Sequence, residues 1–161
     1  MCKTALLLSA VVELISMPVL AAERPDPTAG QFAAIRAATA KYHDVEKARA
    51  DGYQQVSLMV PNMGHHFRNQ DVKGFELERP HILLYVKAKD DTWQLVGVEW
   101  GFPKGSRPPD GQIPFKKPPW PVHKAAFHVW AWYPNPRGAF AALNPMLAPY
   151  NPPAPQKSQK R

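Results

Sequence analysis

The stretch Phe127 to Tyr133, FHVWAWY, limits the fold more than any other part of this 161-residue chain. His128, Trp130 and Trp132 fall on one side of the alternation, and Phe127, Val129, Ala131 and Tyr133 on the other. Period two in aromatic and β-branched residues predicts a strand, over 125–133. Both sides are apolar, which predicts a central strand covered on both faces. Asn135-Pro136 ends it, because proline cannot continue a ladder. A histidine in the middle of such a strand needs a hydrogen-bonding partner.

From its start, the chain reads as exported. Lys3 supplies a positive charge, Ala5 to Val12 a short apolar run, and Ala21-Ala22 a small-residue cleavage pattern, so residues 1–22 are expected to be a secretory signal. The apolar run is short and broken by Glu13, so no transmembrane anchor is expected. Cys2, the single cysteine, would leave with the signal, which excludes a disulfide, a thiolate metal site and a cysteine nucleophile from the mature chain. The expected location is periplasmic or secreted. The formal charge is +7, with Lys157, Lys160 and Arg161 in a tail, residues 151–161, expected to be disordered. The remaining basic residues form no helix face and no aromatic-interleaved patch. The charge therefore suggests attraction to an envelope surface through the basic tail, and no nucleic-acid partner.

Residues 23–150 read as one α+β domain. Asp26-Pro27 opens a helix, and Phe32, Ile35, Ala38, Tyr42, Val45 and Ala48 form one apolar stripe. Asp51-Gly52 stops it. The expectation is one long N-terminal helix of about 24 residues, spanning roughly 36 Å. It would pack on a curved antiparallel sheet of about four to five strands, including 56–60, 81–88, 93–102 and 125–133. Within the third, Val96, Val98, Trp100 and Phe102 are expected to face one way, and Leu95, Gly97, Glu99 and Gly101 the other. Residues 103–121 hold seven of the 19 prolines and are expected to form a loop or lid. Residues 136–143 are expected to form a short helix, and a curved sheet would offer a concave mouth for a ligand.

Three residues draw attention as chemistry. Glu99 is flanked on its own face by Gly97 and Gly101, and glycines inside a strand point either to a bulge or to close approach of another group. His128 could face Glu99 on a neighbouring strand. His65 and His66 are adjacent, so in an extended segment only one of them can join a given site, and Gly64 lets the backbone bend close to a ligand. The spacing is no established metal motif, and no phosphate-binding, dinucleotide or serine-hydrolase motif is present. Ser57, Ser106 and Ser158 have no sequence context that suggests a nucleophile.

The segments YHDVEKARADGY (42–53), MGHHFRN (63–69), RPHILLYV (79–86), LVGVEW (95–100) and FHVWAWYPNPRGAFAALNP (127–145) resemble a family of small exported bacterial proteins of unknown function. The likeness covers most of the mature chain. It implies a Met-Gly-any-His-aromatic-any-Asn loop at Met63, Gly64, His66, Phe67 and Asn69, which favours His66 over His65, and it implies no established activity. Three functions remain open. The first is binding of Zn or Cu through His66, Glu99 and His128, with His43 as a fourth ligand. The second is a small-ligand module using Trp130, Trp132 and Asn69. The third is a purely structural His/Glu clip. Whether the protein is an enzyme is not read from the sequence.

Overall fold

The computed structural model describes residues 27–102 and 126–153. The expected signal, residues 1–22, the proline-rich segment 103–121 and the charged end of the tail lie outside them. α1 (Pro27–Thr39) and a 3₁₀ turn (Ala40–His43) lead to α2 (Val45–Ala50). Five strands follow: β1 (Gln54–Gln55), β2 (His65–Arg68), β3 (Ile82–Lys87), β4 (Trp93–Gly101) and β5 (Ala126–Val129). A 3₁₀ helix, Pro145–Tyr150, closes the described chain. The strands pair antiparallel in chain order, so the α+β class is as expected.

The single long helix is not. The apolar stripe is right, with Ile35, Tyr42 and Ala48 buried, but the backbone breaks at Asp44, which is extended (φ −86°, ψ 106°). Two hydrogen bonds explain the break. Asp44 Oδ1 accepts the Glu46 N–H at 3.0 Å as an N-cap, and Tyr85 Oη on β3 donates to the Tyr42 carbonyl at 2.6 Å. An unbroken helix would have joined that N–H to that carbonyl. Each group has a partner outside the ladder, worth about 1 kcal/mol apiece.

The sheet has two covered faces. α1, α2 and the turn between them pack on Phe67, Leu83, Tyr85, Leu95, Val98, Trp100, Phe127 and Val129. The other face buries Ile82, Leu84, Val86 and Val96 beneath Met63, Trp130 and Leu147. The expected curvature is absent: the sheet does not curl. Curling needs bulges or glycine kinks repeated across strands, and the one register shift among the described pairs lies between β3 and β4. There Leu84 pairs with Gly97 but Tyr85 with Leu95, leaving Val96 as the extra residue of a β-bulge. The bulge corrects the expected facing of β4. Leu95 joins Val98 and Trp100 on the helix side, while Val96 turns to the other side with Gly97 and Glu99.

Other boundaries move for local reasons. Residues 56–60 are not a strand: Val56 is 53% and Leu58 83% exposed, and only Val60 bridges, to Gly64. β5 stops at Val129 because the Ala131 N–H donates back to the Val129 carbonyl (2.9 Å), a three-residue turn. The short helix expected at 136–143 is replaced by a turn, in which Asn135 Oδ1 accepts the Arg137 N–H and the Asn135 carbonyl accepts the Gly138 N–H, with Gly138 at φ +100°. Asn151, where the tail was expected to begin, is fixed: its Oδ1 accepts the Asn62 N–H (2.8 Å) and its Nδ2 donates to Asn62 Oδ1 (3.0 Å).

Gly64 sits at φ +109°, and a Cβ placed there would lie 2.5 Å from the Tyr85 carbonyl oxygen. The close approach anticipated at this glycine is therefore to β3. Gly64→Ala is expected to cost about 2–3 kcal/mol. Gly74→Ala, at φ +71° with nothing within 4 Å, should cost about 1–2 kcal/mol from the backbone alone. Urea unfolding of both variants checks this, and equal losses would contradict the steric account.

Candidate metal centre

Sheet register builds the site. Glu99 on β4 pairs directly with His128 on β5, so both side chains leave the sheet on the face opposite the helices. His66 reaches the same face from β2, opposite Leu84, while Glu99 lies opposite Ile82. The β2 and β4 backbones are separated by β3, roughly 10 Å across two strand spacings. Two long side chains leaning toward each other bridge it. His66 Nε2 lies 3.5 Å and His128 Nε2 3.1 Å from the same Glu99 oxygen, Oε2. Three ligand atoms, one from each residue, fall within 4.8 Å of one another. Side-chain exposure is 6% for Glu99, 8% for His128 and 15% for His66, so the group is sealed at β4 and β5 and less so toward β2.

The neighbours hold this geometry. The Trp130 ring lies parallel to the His128 ring (8° apart, centroids 6.5 Å), and its Nε1 donates to the Ala141 carbonyl. A Cβ on Gly97 would stand 2.9 Å from the Val129 carbonyl oxygen and 3.3 Å from the Trp130 ring. The room beside Glu99 is thus used by β5 and the indole. At His66, Ser57 Oγ accepts the backbone N–H at 3.0 Å and lies 2.9 Å from ring Nδ1. In the sequence Ser57 carries no nucleophile motif. The signal that could have found it is its place in a segment folding back antiparallel on β2.

Burial pushes the Glu99 carboxyl up, but the His128 and His66 imidazoles together outweigh it and hold the group at about 2, below its ordinary 4.5. Even so, Oε2 is buried with no hydrogen bond among the described residues. Both rings are close enough to lower the carboxyl pKa by hydrogen bonding first and by charge second, but at 3.1 and 3.5 Å neither N–H is aligned well enough to satisfy Oε2 by strict geometry. Leaving a buried carboxylate oxygen unbonded costs on the order of several kcal/mol unless a cation or donor compensates.

The remaining candidates fall elsewhere. His65 points to the helix side, edge-on to Trp93, where burial pushes its pKa below the usual imidazole value. His43 is exposed on that side, its ring edge-on to Trp132 at 4.3 Å, so it is not brought to the trio. The turn after Val129 also breaks the alternation, and Trp132 packs with the helix-side core, its Nε1 donating to Thr39 Oγ1 (3.0 Å). Trp130 and Trp132 still share a cleft of about 370 Å³ with Arg36, Ala131, Tyr133 and Pro134. Asn69 is 4% exposed and braces the fold: Nδ2 donates to the Asp51 carbonyl, and Oδ1 accepts the Asp71 N–H. His81, also buried, accepts the Gly101 N–H at Nδ1, so its Nε2 proton goes to the Gly74 carbonyl, a neutral structural histidine. No helix among the described residues is long and apolar enough to cross a membrane.

Comparison with known protein families, with curated proteins and with solved structures gives no match.

In the metal-free protein the depressed Glu99 pKa makes a signed prediction. The unfolded chain binds a proton near the ordinary 4.5 and the folded chain only near 2, so Glu99 stabilises the fold above that ordinary value. The contribution is lost as pH falls through about 2. Unfolding free energy should therefore drop more steeply between these values in wild type than in Glu99→Gln. Parallel slopes in denaturant titrations would show that the carboxylate gains nothing from the imidazoles.

Proposed function

We propose that this chain binds one divalent metal ion, zinc or copper, through His66 Nε2, Glu99 Oε2 and His128 Nε2. The carrying observation is the buried, hydrogen-bond-free Glu99 Oε2 with two imidazole Nε2 atoms 3.1 and 3.5 Å away. Zinc–nitrogen and zinc–oxygen bonds of 2.0–2.2 Å in a tetrahedron put neighbouring ligand atoms about 3.3–3.5 Å apart. The separations of 3.1 and 3.5 Å fall close to that edge length, while the three ligand atoms together span up to 4.8 Å, so the two imidazoles would have to draw together around an ion. Two imidazoles and one carboxylate are also the borderline nitrogen/oxygen set that zinc and copper(II) favour. Three protein ligands leave a fourth position for water or a small molecule, reached most readily from the His66 side. Export belongs to the same proposal and is supported by the charged, apolar and small-residue pattern of residues 1–22.

A second reading has its own observation. The open cleft lined by Arg36, Trp130, Trp132 and Tyr133, about 370 Å³, is of a size to receive a small aromatic-binding ligand.

Calorimetric titration of chelator-treated protein tests the metal reading. Wild type and His65→Ala should each bind about one equivalent of zinc. His66→Ala and His128→Ala should each weaken binding by more than the roughly 10–100-fold that loss of an outer-shell partner produces. Equally negligible binding by all four proteins would end this reading.

A further inference from the structure

Resting on the metal reading, we infer that Ser57 is the outer-shell positioning residue of the site, holding His66 in the one tautomer and ring orientation that can ligate an ion through Nε2.

The inference follows from how Ser57 Oγ can share its proton and lone pairs. A hydroxyl has one proton to give and two lone pairs to receive. The Oγ already accepts the His66 backbone N–H at 3.0 Å and lies 2.9 Å from His66 Nδ1. Two proton placements remain. If Ser57 donated to Nδ1, the neutral ring would carry its proton on Nε2, facing the Glu99 carboxylate. That N–H would be drawn to the usual distance of about 2.7–2.9 Å for a charge-assisted bond. The observed separation is 3.5 Å, and Glu99 Oε2 accepts no hydrogen bond. If instead Nδ1–H donates to Ser57, the second lone pair of Oγ is filled and the Nε2 lone pair is free, directed toward Glu99 and His128. An ion held among the three requires that placement, and ligating histidines generally donate their other ring N–H to such a partner.

The same contact accounts for the abrupt end of β1. Its ladder with β2 stops at Gln55, and the Val56 N–H still reaches the His66 carbonyl at 2.8 Å. At the next position the backbone leaves the sheet, and the Ser57 side chain takes over the His66 N–H. One hydroxyl thereby grips the backbone and the ring of the same residue, which fixes the ring rotation. Gln55 Nε2 makes the corresponding approach to His65 Nδ1 at 3.2 Å, on the side away from the site.

Two measurements on the full chain test the inference. Long-range proton–nitrogen NMR of the metal-free protein, at alkaline pH where imidazoles are neutral, should show the His66 proton on Nδ1 in wild type and moved toward Nε2 in Ser57→Ala. Zinc titration should show Ser57→Ala weakened about 10–100-fold, with affinity restored in Ser57→Thr, which keeps the hydroxyl. Restoration separates positioning from a general loss of packing, and circular dichroism verifies that both variants are folded. A wild-type proton on Nε2 overturns the inference, as does unchanged zinc affinity in Ser57→Ala while wild type binds. Wild type that takes up no zinc ends the metal reading itself, and this inference with it.

Discussion

A carboxylate that is almost wholly buried needs polar partners from the surrounding fold, and Glu99 is that carboxylate here. Its neighbours come from both sides: His128 through direct cross-strand pairing, and His66 from two strands away. Placing these groups fixes much else. β4 must lie between β3 and β5, β5 must pair with it in one register, and β2 must present His66 rather than His65 to the same face. A shift of one residue in β2 would send His66 to the helix side and bring His65 or Phe67, depending on its direction, to the face of the carboxylate. The core is therefore specified by hydrophobic alternation and by one polar position that tolerates few alternatives.

Two irregularities reconcile this polar group with a sheet covered on both faces. The Val96 bulge lets β4 carry aromatic and branched residues to the helix side at both of its ends while Gly97 and Glu99 point the other way. The tight turn after Val129 then releases Trp130 to wall the site and returns Trp132 to the helix layer. Arg36 Nε reinforces that return by donating to the Ala131 carbonyl at 2.6 Å. Neither device widens the sheet into a mouth. The site is instead a buried polar cluster on the sheet face opposite the helices, which leaves room for something as small as an ion rather than for a large substrate.

What the sequence made legible was whatever alternation alone decides. The strands of Ile82–Lys87 and Trp93–Gly101 and the opposite facing of His65 and His66 follow from period two, whereas the shared face of Glu99 and His128, only a possibility in the sequence, is fixed by the β4–β5 register. What it concealed depends on partners distant in the chain. The helix break at Asp44 needs the Tyr85 hydroxyl, 43 residues from the Tyr42 carbonyl it serves. The strand-like run after Gln55 looked periodic, yet Val56 and Leu58 are exposed, Met59 and Val60 pack on the site-face core from a loop, and the polar Ser57 contacts His66. His43 failed as a ligand candidate because the helices it belongs to cover the wrong face, and helix periodicity carries no information about which face a helix will cover.

The reciprocal pair formed by Asn62 and Asn151 spans 89 residues. It ties the loop immediately before β2 to the last turn of the described chain, and Leu147 from that turn packs on the face that carries the site. During synthesis the His66 strand would emerge long before its capping segment and before His128. A ribosome-bound chain lacking residues beyond β4 would hold Glu99 in a half-built sheet with one imidazole at most. Completion of the centre is thus coupled to arrival of the carboxyl-terminal turn. Contacts this remote are slow to form, because a long loop must close before they contribute. By sequence separation alone, the hairpin of β3 and β4 is favoured to form early and the asparagine clasp beside the His66–Glu99–His128 face late.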